Sequence, residues 1–420
     1  MRILIVSQYF WPESFLVNDL AVGLCERGHR VSVLTGIPNY PEGRFFPGYG
    51  SFKNRNQNYK GVTVSRVPLV PRGRAKGVRL ALNYFSFALS ASVLGPFVCR
   101  GKYDLILVYQ LSPVTVGLPA LVLKMIKSAP IMFLVQDLWP ESLAATEAVR
   151  SPMILKMVEW MVRGIYRGCD LILTQSEAFK QPVEKMGVQS QHILYFPNSA
   201  ANVNGETARE AAATGQDLGL PPGYRIMFAG NIGAAQDFPT ILSAAERLKE
   251  YSDIHWLFVG DGRMLPWVRA QIVERGLSRN VHLLGRHPVE AMPGFYACAD
   301  VMIVTLKKEP ILALTIPSKV QSYLAAGKPI IAALDGEGAR IIEEAEAGLT
   351  CPAEDVAALA DAVLTMYRKS PAEHKAMGKN GAVYYQKHFD RRMLLERLEE
   401  WMEALSVGKR NKIRIDSSWQ

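Results

Sequence analysis

Acidic residues are missing from a long part of this chain. Residues 43–103 contain no Asp or Glu, although the 420-residue sequence holds 39 of them. The same window holds eleven basic residues: Arg44, Lys53, Arg55, Lys60, Arg66, Arg72, Arg74, Lys76, Arg79, Arg100 and Lys102. The net charge of +9 is therefore unevenly placed: residues 1–200 carry 22 Lys+Arg against 12 Asp+Glu, and the remainder 26 against 27. Cysteine is scarce. Cys25, Cys99, Cys169, Cys298 and Cys351 are scattered, odd in number and form no CxxC or Cys/His cluster. That excludes a disulfide framework, gives no reason to expect a metal, and fits a reducing cytoplasm. A secretory leader is not expected, because Met1-Arg2 runs straight into the strand-length Ile3-Leu4-Ile5-Val6. No DNA- or RNA-binding motif accompanies the basic charge, and aromatics are not interleaved with it, so nucleic acid is not an expected partner. No short repeat is present.

What is present is strand–helix alternation, twice. Residues 3–7, 31–35, 62–67, 105–109, 131–135 and 171–174 are short apolar runs, separated by helical patterns at 16–27, 80–98, 116–126 and 152–167. Apolar strands without polar alternation are buried on both faces, which predicts a parallel sheet covered by helices. Residues 201–222 are small, polar and bounded by Gly and Pro, the composition of a linker. A second series starts at 225 and runs through a strand at 330–333. Helices at 374–388 and 391–405 are candidates to return to the first domain, and the tail from 408 is basic. The expected class is α/β, with two doubly wound, Rossmann-like, parallel-sheet domains facing across a cleft. The expected domains are 1–200, a linker at 201–222, 223–390, and a C-terminal helix and tail at 391–420. Ligands in such folds bind beyond the carboxyl ends of the strands.

The acid-free window contains a near-continuous apolar run, Leu80 to Val98. Arg72, Arg74, Lys76 and Arg79 precede it and suit anionic headgroups, at about 1 kcal/mol each. Three readings stay open: a helix docked peripherally on a membrane, a buried core helix beside a solvated basic loop, and a true span.

The carboxyl-end loops collect aromatics beside carboxylates and amides. They are Gln8–Ser14, Gly36–Gly43 and Gln136–Ser142. Sugars are recognised by this mixture, through ring stacking and directed hydrogen bonds. Asp137 and Glu141 are the acid/base candidates there, with Glu13, Asn39, Tyr40 and Trp139 as binding candidates. Each acid is also in position to cap a helix. In the second domain, Gly230 and Gly233 permit close approach of backbone to phosphate, and Val259-Gly260-Asp261-Gly262 is a similar loop. Arg286 and Glu309 follow strands at the same end. The sharpest signal is Pro317-Ser318-Lys319, opening a helix that Gly327 stops. Free N–H groups and the dipole at such a mouth bind anions, with Lys319 supplying charge to a diphosphate.

With those loops quoted, the chain resembles the family 4 glycosyltransferases, enzymes of the GT-B fold. Cys25–Val31, Pro38–Gly43, Gln136–Ser142, Phe196-Pro197-Asn198, Gly230–Asp237 and Pro317–Pro329 carry the resemblance in order. The likeness is strongest to a bacterial subgroup that builds O-antigen, capsule and colanic acid, including L-fucosamine transferases. The resemblance implies an enzyme, a retaining transferase that needs no metal and no cofactor. Its donor is a UDP-sugar, held by the second domain. Its acceptor is a sugar on a polyprenyl diphosphate, held by the first domain at the cytoplasmic face of the inner membrane, where the protein sits peripherally. The sugar moved is an N-acetylated hexosamine or deoxyhexosamine. Carried onto this sequence, the donor residues are Gly230, Asn231, Gln236, Gly260, Arg286, Glu309, Ser318, Lys319 and Ser322. The family's two glutamates, spaced E-x7-E, fall here on Leu314 and Ser322, and its loop Arg and Lys on Asn231 and Gln236. Those departures keep two alternatives open: a nucleotide-sugar epimerase on the same fold, and a non-catalytic sugar-nucleotide scaffold.

Overall fold

The computed structural model describes residues 1–51, 53–73, 77–146, 148–200 and 219–408. Arg74 and Lys76, most of the expected linker and the basic tail lie outside them. The chain forms two compact units: Met1–Pro197 with Arg392–Gln420, and Asn198–Arg391.

The first unit is built on eight strands: β1 (Arg2–Val6), β2 (Arg30–Gly36), β3 (Asn56–Tyr59), β4 (Val62–Val67), β5 (Leu105–Gln110), β6 (Ile131–Val135), β7 (Leu171–Thr174) and β8 (Ile193–Tyr195). Their order is β3-β4-β2-β1-β5-β6-β7-β8. All pairs are parallel except β3 with β4. β5 and β6 are buried at every position, as continuous apolar runs demand. β3 escaped the sequence reading because Asn56-Gln57-Asn58-Tyr59 is short and polar, a composition that blunts a sheet edge.

Crossovers in a parallel sheet are right-handed, so helices between strands running in opposite order sit on opposite faces. One face carries Leu16–Glu26, and Arg391–Ser406 joins it: Leu394, Leu398 and Met402 share a core with Leu20, Leu24 and Ile5. Arg27 Nε donates to Glu399 at 2.8 Å and helps hold that returning helix. The other face carries Gly77–Val98, Gly117–Lys127 and Pro152–Gly168 side by side. Glycine makes that packing tight: a Cβ on Gly95 would lie 2.9 Å from Leu34, and one on Gly117 2.4 Å from Ile165.

Among the described residues the second unit has six strands, all parallel: β9 (Tyr224–Ala229), β10 (Ile254–Val259), β11 (Val281–Gly285), β12 (Val301–Thr305), β13 (Ile330–Ala333) and β14 (Gly348–Cys351), in the order β11-β10-β9-β12-β13-β14. The reading from sequence stopped at 333 and missed Glu337–Glu344, β14 and Val356–Tyr367. β14 is four residues long and only Cys351 in it is buried, so its pattern is weak. The helix expected at 374–388 spans Pro371–His388 and stays with the second unit instead of returning to the first. Its Gly378 and Gly381 pack against Gly327 and Leu324.

Candidate functional sites

In the second unit, the carboxyl ends of β9 and β10 meet back to back. Gly230 and Gly260 both adopt positive φ, 142° and 143°. A Cβ on Gly260 would lie 1.9 Å from the Gly230 carbonyl oxygen. The Gly230 N–H donates to Val259 O at 2.9 Å and the Ile232 N–H to Asp261 O at 2.8 Å, which fixes the two loops together.

Over this glycine pair sits the helix Ser318–Ala325. Pro317 was expected inside its first turn; it is the extended residue just before, at φ −63° and ψ 131°. With proline at that position, no side chain among the described residues caps the first N–H groups, and the mouth stays open. Gly327, at φ 65°, ends the helix as the sequence indicated. Tyr323 is fully buried and pins the helix to β9: its hydroxyl accepts from the Ala229 N–H at 3.0 Å and donates to Ala229 O at 3.2 Å. One turn earlier, Lys319 reaches over Gly230, whose added Cβ would lie 2.8 Å from Lys319 Cε. The ammonium stands 4.9 Å from the centre of the Phe228 ring. Burial lowers the Lys319 pKa to about 8. Among the described residues it has no carboxylate partner. A desolvated ammonium without a counter-ion is costly, and an incoming anion relieves that cost.

The other donor candidates separate. Asn231 and Gln236 stay at the loop but are folded onto it: the Asn231 amide covers Gly233, and Gln236 Oε1 accepts the Gly233 N–H at 3.2 Å. Ser318 is exposed at the mouth and Ser322 is half-buried one turn on. Glu309 is exposed, and its carbonyl accepts from the Leu312 N–H at 2.9 Å. The adjoining Lys307 N–H, donating to Ala235 O at 3.0 Å, holds that segment beside the 234–236 turn. Arg286 is exposed after β11, the edge strand, two places from β9. Two residues of this unit were not singled out from sequence. Gln321 is buried on the mouth helix with neither amide atom partnered among the described residues. Asp237, buried at φ 45° after the glycine loop, has its pKa raised by desolvation.

In the first unit, the loops after β1, β2, β5 and β6 build one polar and aromatic network. Glu13 is buried, and its Oε1 accepts from the Asn39 N–H at 2.8 Å and the Tyr40 N–H at 2.7 Å. Burial raises its pKa to about 7, against the opposing pull of those N–H groups. Tyr9, Phe15 and Tyr40 form a triangle with ring centres 5.2–5.9 Å apart. The Arg72 guanidinium lies 4.9 Å from the Tyr40 ring and 5.9 Å from Tyr9, and its Nη1 donates to the Tyr9 hydroxyl at 3.4 Å, while the Arg72 backbone N–H donates to Asn39 Oδ1 at 3.0 Å. Arg72 was expected to face lipid; the structure turns it into this network, because two ring faces and a phenol oxygen attract the cation. Arg79 is exposed and donates to Pro71 O at 3.3 Å.

The network continues to the second loop pair. Tyr84 meets both Tyr9 and Ser112 through its hydroxyl and packs 6.0 Å from the Trp139 ring. Trp139 Nε1 donates to Asp137 Oδ2 at 3.0 Å, and Gln110 Nε2 to the Asp137 carbonyl at 2.8 Å. Burial raises the Asp137 pKa, opposed by hydrogen bonds from Ser142, Trp139 and Ser112. Glu141 starts the short helix Glu141–Ala145, with Oε2 enclosed and unpartnered among the described residues. Trp139 is 6% exposed and Tyr40 39%, so of the two proposed stacking rings only Tyr40 presents a face to a ligand. Tyr9, Tyr84 and Ser112 were not singled out; Tyr9 and Ser112 follow the ends of β1 and β5, whereas Tyr84 lies inside the helix Gly77–Val98 and carries no such signal.

Glu13 makes a pH prediction. Its folded pKa, about 7, exceeds the ordinary value of 4.5 for an exposed glutamate, so the native state binds the extra proton between those pH values. Stability then falls as pH rises through that window. At about 1.4 kcal/mol per pKa unit, Glu13→Gln recovers up to about 3.5 kcal/mol at pH 8 and flattens the profile. Denaturant unfolding at pH 5 and pH 8 checks this; parallel curves for wild type and variant refute it.

Two doubly wound parallel-sheet units, with glycine loops and a bare helix mouth at the carboxyl ends of the second, define the GT-B class of fold. Solved structures agree. Sucrose-phosphate synthase from Thermosynechococcus elongatus aligns over 97% of this chain and 99% of its own, at TM-score 0.74 and 17% identity. Anabaena HepE, solved in complex with UDP, aligns over 96% and 100%, at TM-score 0.71 and 15% identity. Residues 16–199 match the glycosyl transferase 4-like domain, and residues 223–369 match the glycosyl transferases group 1. The chain belongs to the glycosyltransferases of this type. It is also 22% identical, over 78% of its length and 82% of the relative's, to the putative colanic acid biosynthesis glycosyl transferase WcaI of Escherichia coli strain K12.

Proposed function

We propose that this protein is a retaining glycosyltransferase of bacterial surface-polysaccharide biosynthesis. It moves an N-acetylated hexosamine or deoxyhexosamine from a UDP-sugar to a polyprenyl-diphosphate-linked acceptor, peripherally bound at the cytoplasmic face of the inner membrane. The observation that carries the reading is Lys319: a desolvated ammonium beside the Gly230 loop and at an uncapped helix mouth, with no carboxylate partner among the described residues. That place is made for a diphosphate. The name of the Escherichia coli relative supports a polysaccharide product, and the UDP held by HepE supports the nucleotide.

In the reaction the anomeric C–O bond to the donor diphosphate breaks, and the leaving group takes the electron pair. Lys319 and the first helical N–H groups meet the charge that develops, without a metal. The acceptor hydroxyl attacks the anomeric carbon from the leaving-group face, and its proton passes to a donor phosphate oxygen. Tyr40, Arg72 and Glu13 hold the acceptor on the first unit. Asp137 and Glu141 orient its hydroxyl.

Thermal shift with UDP, GDP and their sugars tests the donor. UDP at a hundred times its Kd is expected to add about 2.7 kcal/mol, with no shift from GDP. Transfer from a UDP-sugar panel into a lipid-linked acceptor then tests the reaction. Epimerised nucleotide sugar without transfer selects the epimerase reading. Binding without turnover selects the scaffold.

A further inference from the structure

The outer face of the first unit reverses the usual order of a soluble helix layer. Along Gly77–Val98, the residues Leu82, Phe85, Leu89, Val93 and Phe97 recur every three or four positions and are all exposed, Leu89 at 69%. The opposite side of the same helix is also apolar and packed, through Phe87, Ala91 and Gly95. The neighbouring helix adds Met125, and Pro152–Gly168 adds Met153, Met157 and Trp160, the last 79% exposed. A soluble helix normally turns its apolar stripe inward. Large apolar side chains exposed in such number on neighbouring helices mark interaction surfaces.

We infer that these three helices form one platform that lies flat on an anionic bilayer, with Pro152–Gly168 as its second foot. Gly77–Val98 is long and apolar enough to cross a membrane by length and composition. Its inner face is committed elsewhere. Gln8 Nε2 donates to Asn83 Oδ1 at 2.8 Å and Asn83 Nδ2 to Val70 O at 2.6 Å, so lipid cannot surround the helix. It is a half-immersed surface element. Charge selects the occupant. Arg79, Arg100 and Lys102 flank the first helix and Lys156 lies on the third, all exposed. Glu159, on the same third helix, is already paired with Arg163 at 2.7 Å. This positive rim attracts anionic headgroups. It opposes a second copy of the chain, because a twofold contact sets identical rims against each other. Trp160 suits the headgroup level, where indole rings gather.

The inference deepens the proposed membrane location, and its test needs neither donor nor acceptor. The full chain is sedimented with phosphatidylcholine vesicles, with and without phosphatidylglycerol. Wild type is expected to pellet with the anionic vesicles and to be released by salt. Met157→Glu/Trp160→Glu and, separately, Leu82→Glu/Leu89→Glu are each expected to cut the bound fraction at least tenfold, with UDP thermal shifts unchanged. Wild-type retention by the Met157/Trp160 pair overturns the second foot, and equal binding to neutral vesicles overturns the choice of lipid. A wild-type dimer that ignores vesicles and dissociates in either variant assigns the face to a second copy, against the inference. Vesicle binding without sugar transfer upholds the platform while removing the glycosyltransferase reading.

Discussion

Lys319→Met is expected to lower the transfer rate by about 10²–10³-fold, the usual cost of losing one preorganised charge-stabilising group. Its effect on the free protein runs the other way. Methionine keeps the length of the side chain and its contact with Phe228, and it removes a desolvated ammonium that has no carboxylate partner among the described residues. The melting temperature without ligand should hold or rise, so loss of activity cannot be ascribed to unfolding. The same variant isolates a pH effect. Free Lys319 loses its proton near pH 8, and a bound diphosphate raises that pKa. Binding therefore takes up a proton above pH 8, and nucleotide affinity falls as pH rises through that value. Titration of UDP at pH 7 and pH 9 should show this decline in wild type and not in the variant. Equal turnover by both proteins would remove Lys319 from the reaction.

Gly260→Ala is the second large effect. At φ 143° the new Cβ is strained by the backbone alone, and it meets the Gly230 carbonyl oxygen at 1.9 Å. A flexible side chain could swing aside, but a backbone carbonyl cannot do so alone where its own residue's N–H is held by Val259 O. Relief requires the two glycine loops to part, which also moves Gly230 from beneath Lys319. Strain and overpacking together put the cost at roughly 2–4 kcal/mol, a fall of roughly 5–15 °C in the melting temperature, with the UDP shift abolished. Gly276→Ala is the control. It shares a positive φ, 66°, but its Cβ would meet nothing within 4 Å. It should cost about 1 kcal/mol and leave nucleotide binding intact. If Gly260→Ala behaves like the control, the loops do not meet as described.

Much of the second site was readable because its signals are local. A glycine after an apolar strand, a proline before a helix and a glycine behind it act through their own backbone dihedrals. Gly230, Gly260, Lys319 and Gly327 fell where that chemistry put them. Arg286 and Glu309 were placed by the same adjacency, yet one follows an edge strand and the other turns its carbonyl into a cap. Strand order, which its sequence does not encode, removed Arg286, whereas Glu309 follows β12 beside β9 and is set apart by its own turn.

The first site was readable as composition but not as arrangement. Tyr40 and Trp139 look alike in their loops, and only packing against Tyr84 hides the second. Arg72 belongs to a basic run, and its inward turn depends on rings contributed by two other loops. Likewise, periodicity shows that Pro152–Gly168 has an apolar stripe; which way the stripe points depends on the sheet beneath it.

The amino-acid order alone thus determined the buried strands, the turns at their ends and the anion-seeking helix mouth, since each arises from dihedral preference and hydrophobic burial within a few residues; it did not determine the polar edge strand β3 or the short β14. Only the tertiary structure decided which loops became neighbours and which apolar surfaces stayed outside. Those outcomes depend on crossover handedness and on contacts between residues far apart in the chain, where no short stretch holds the information.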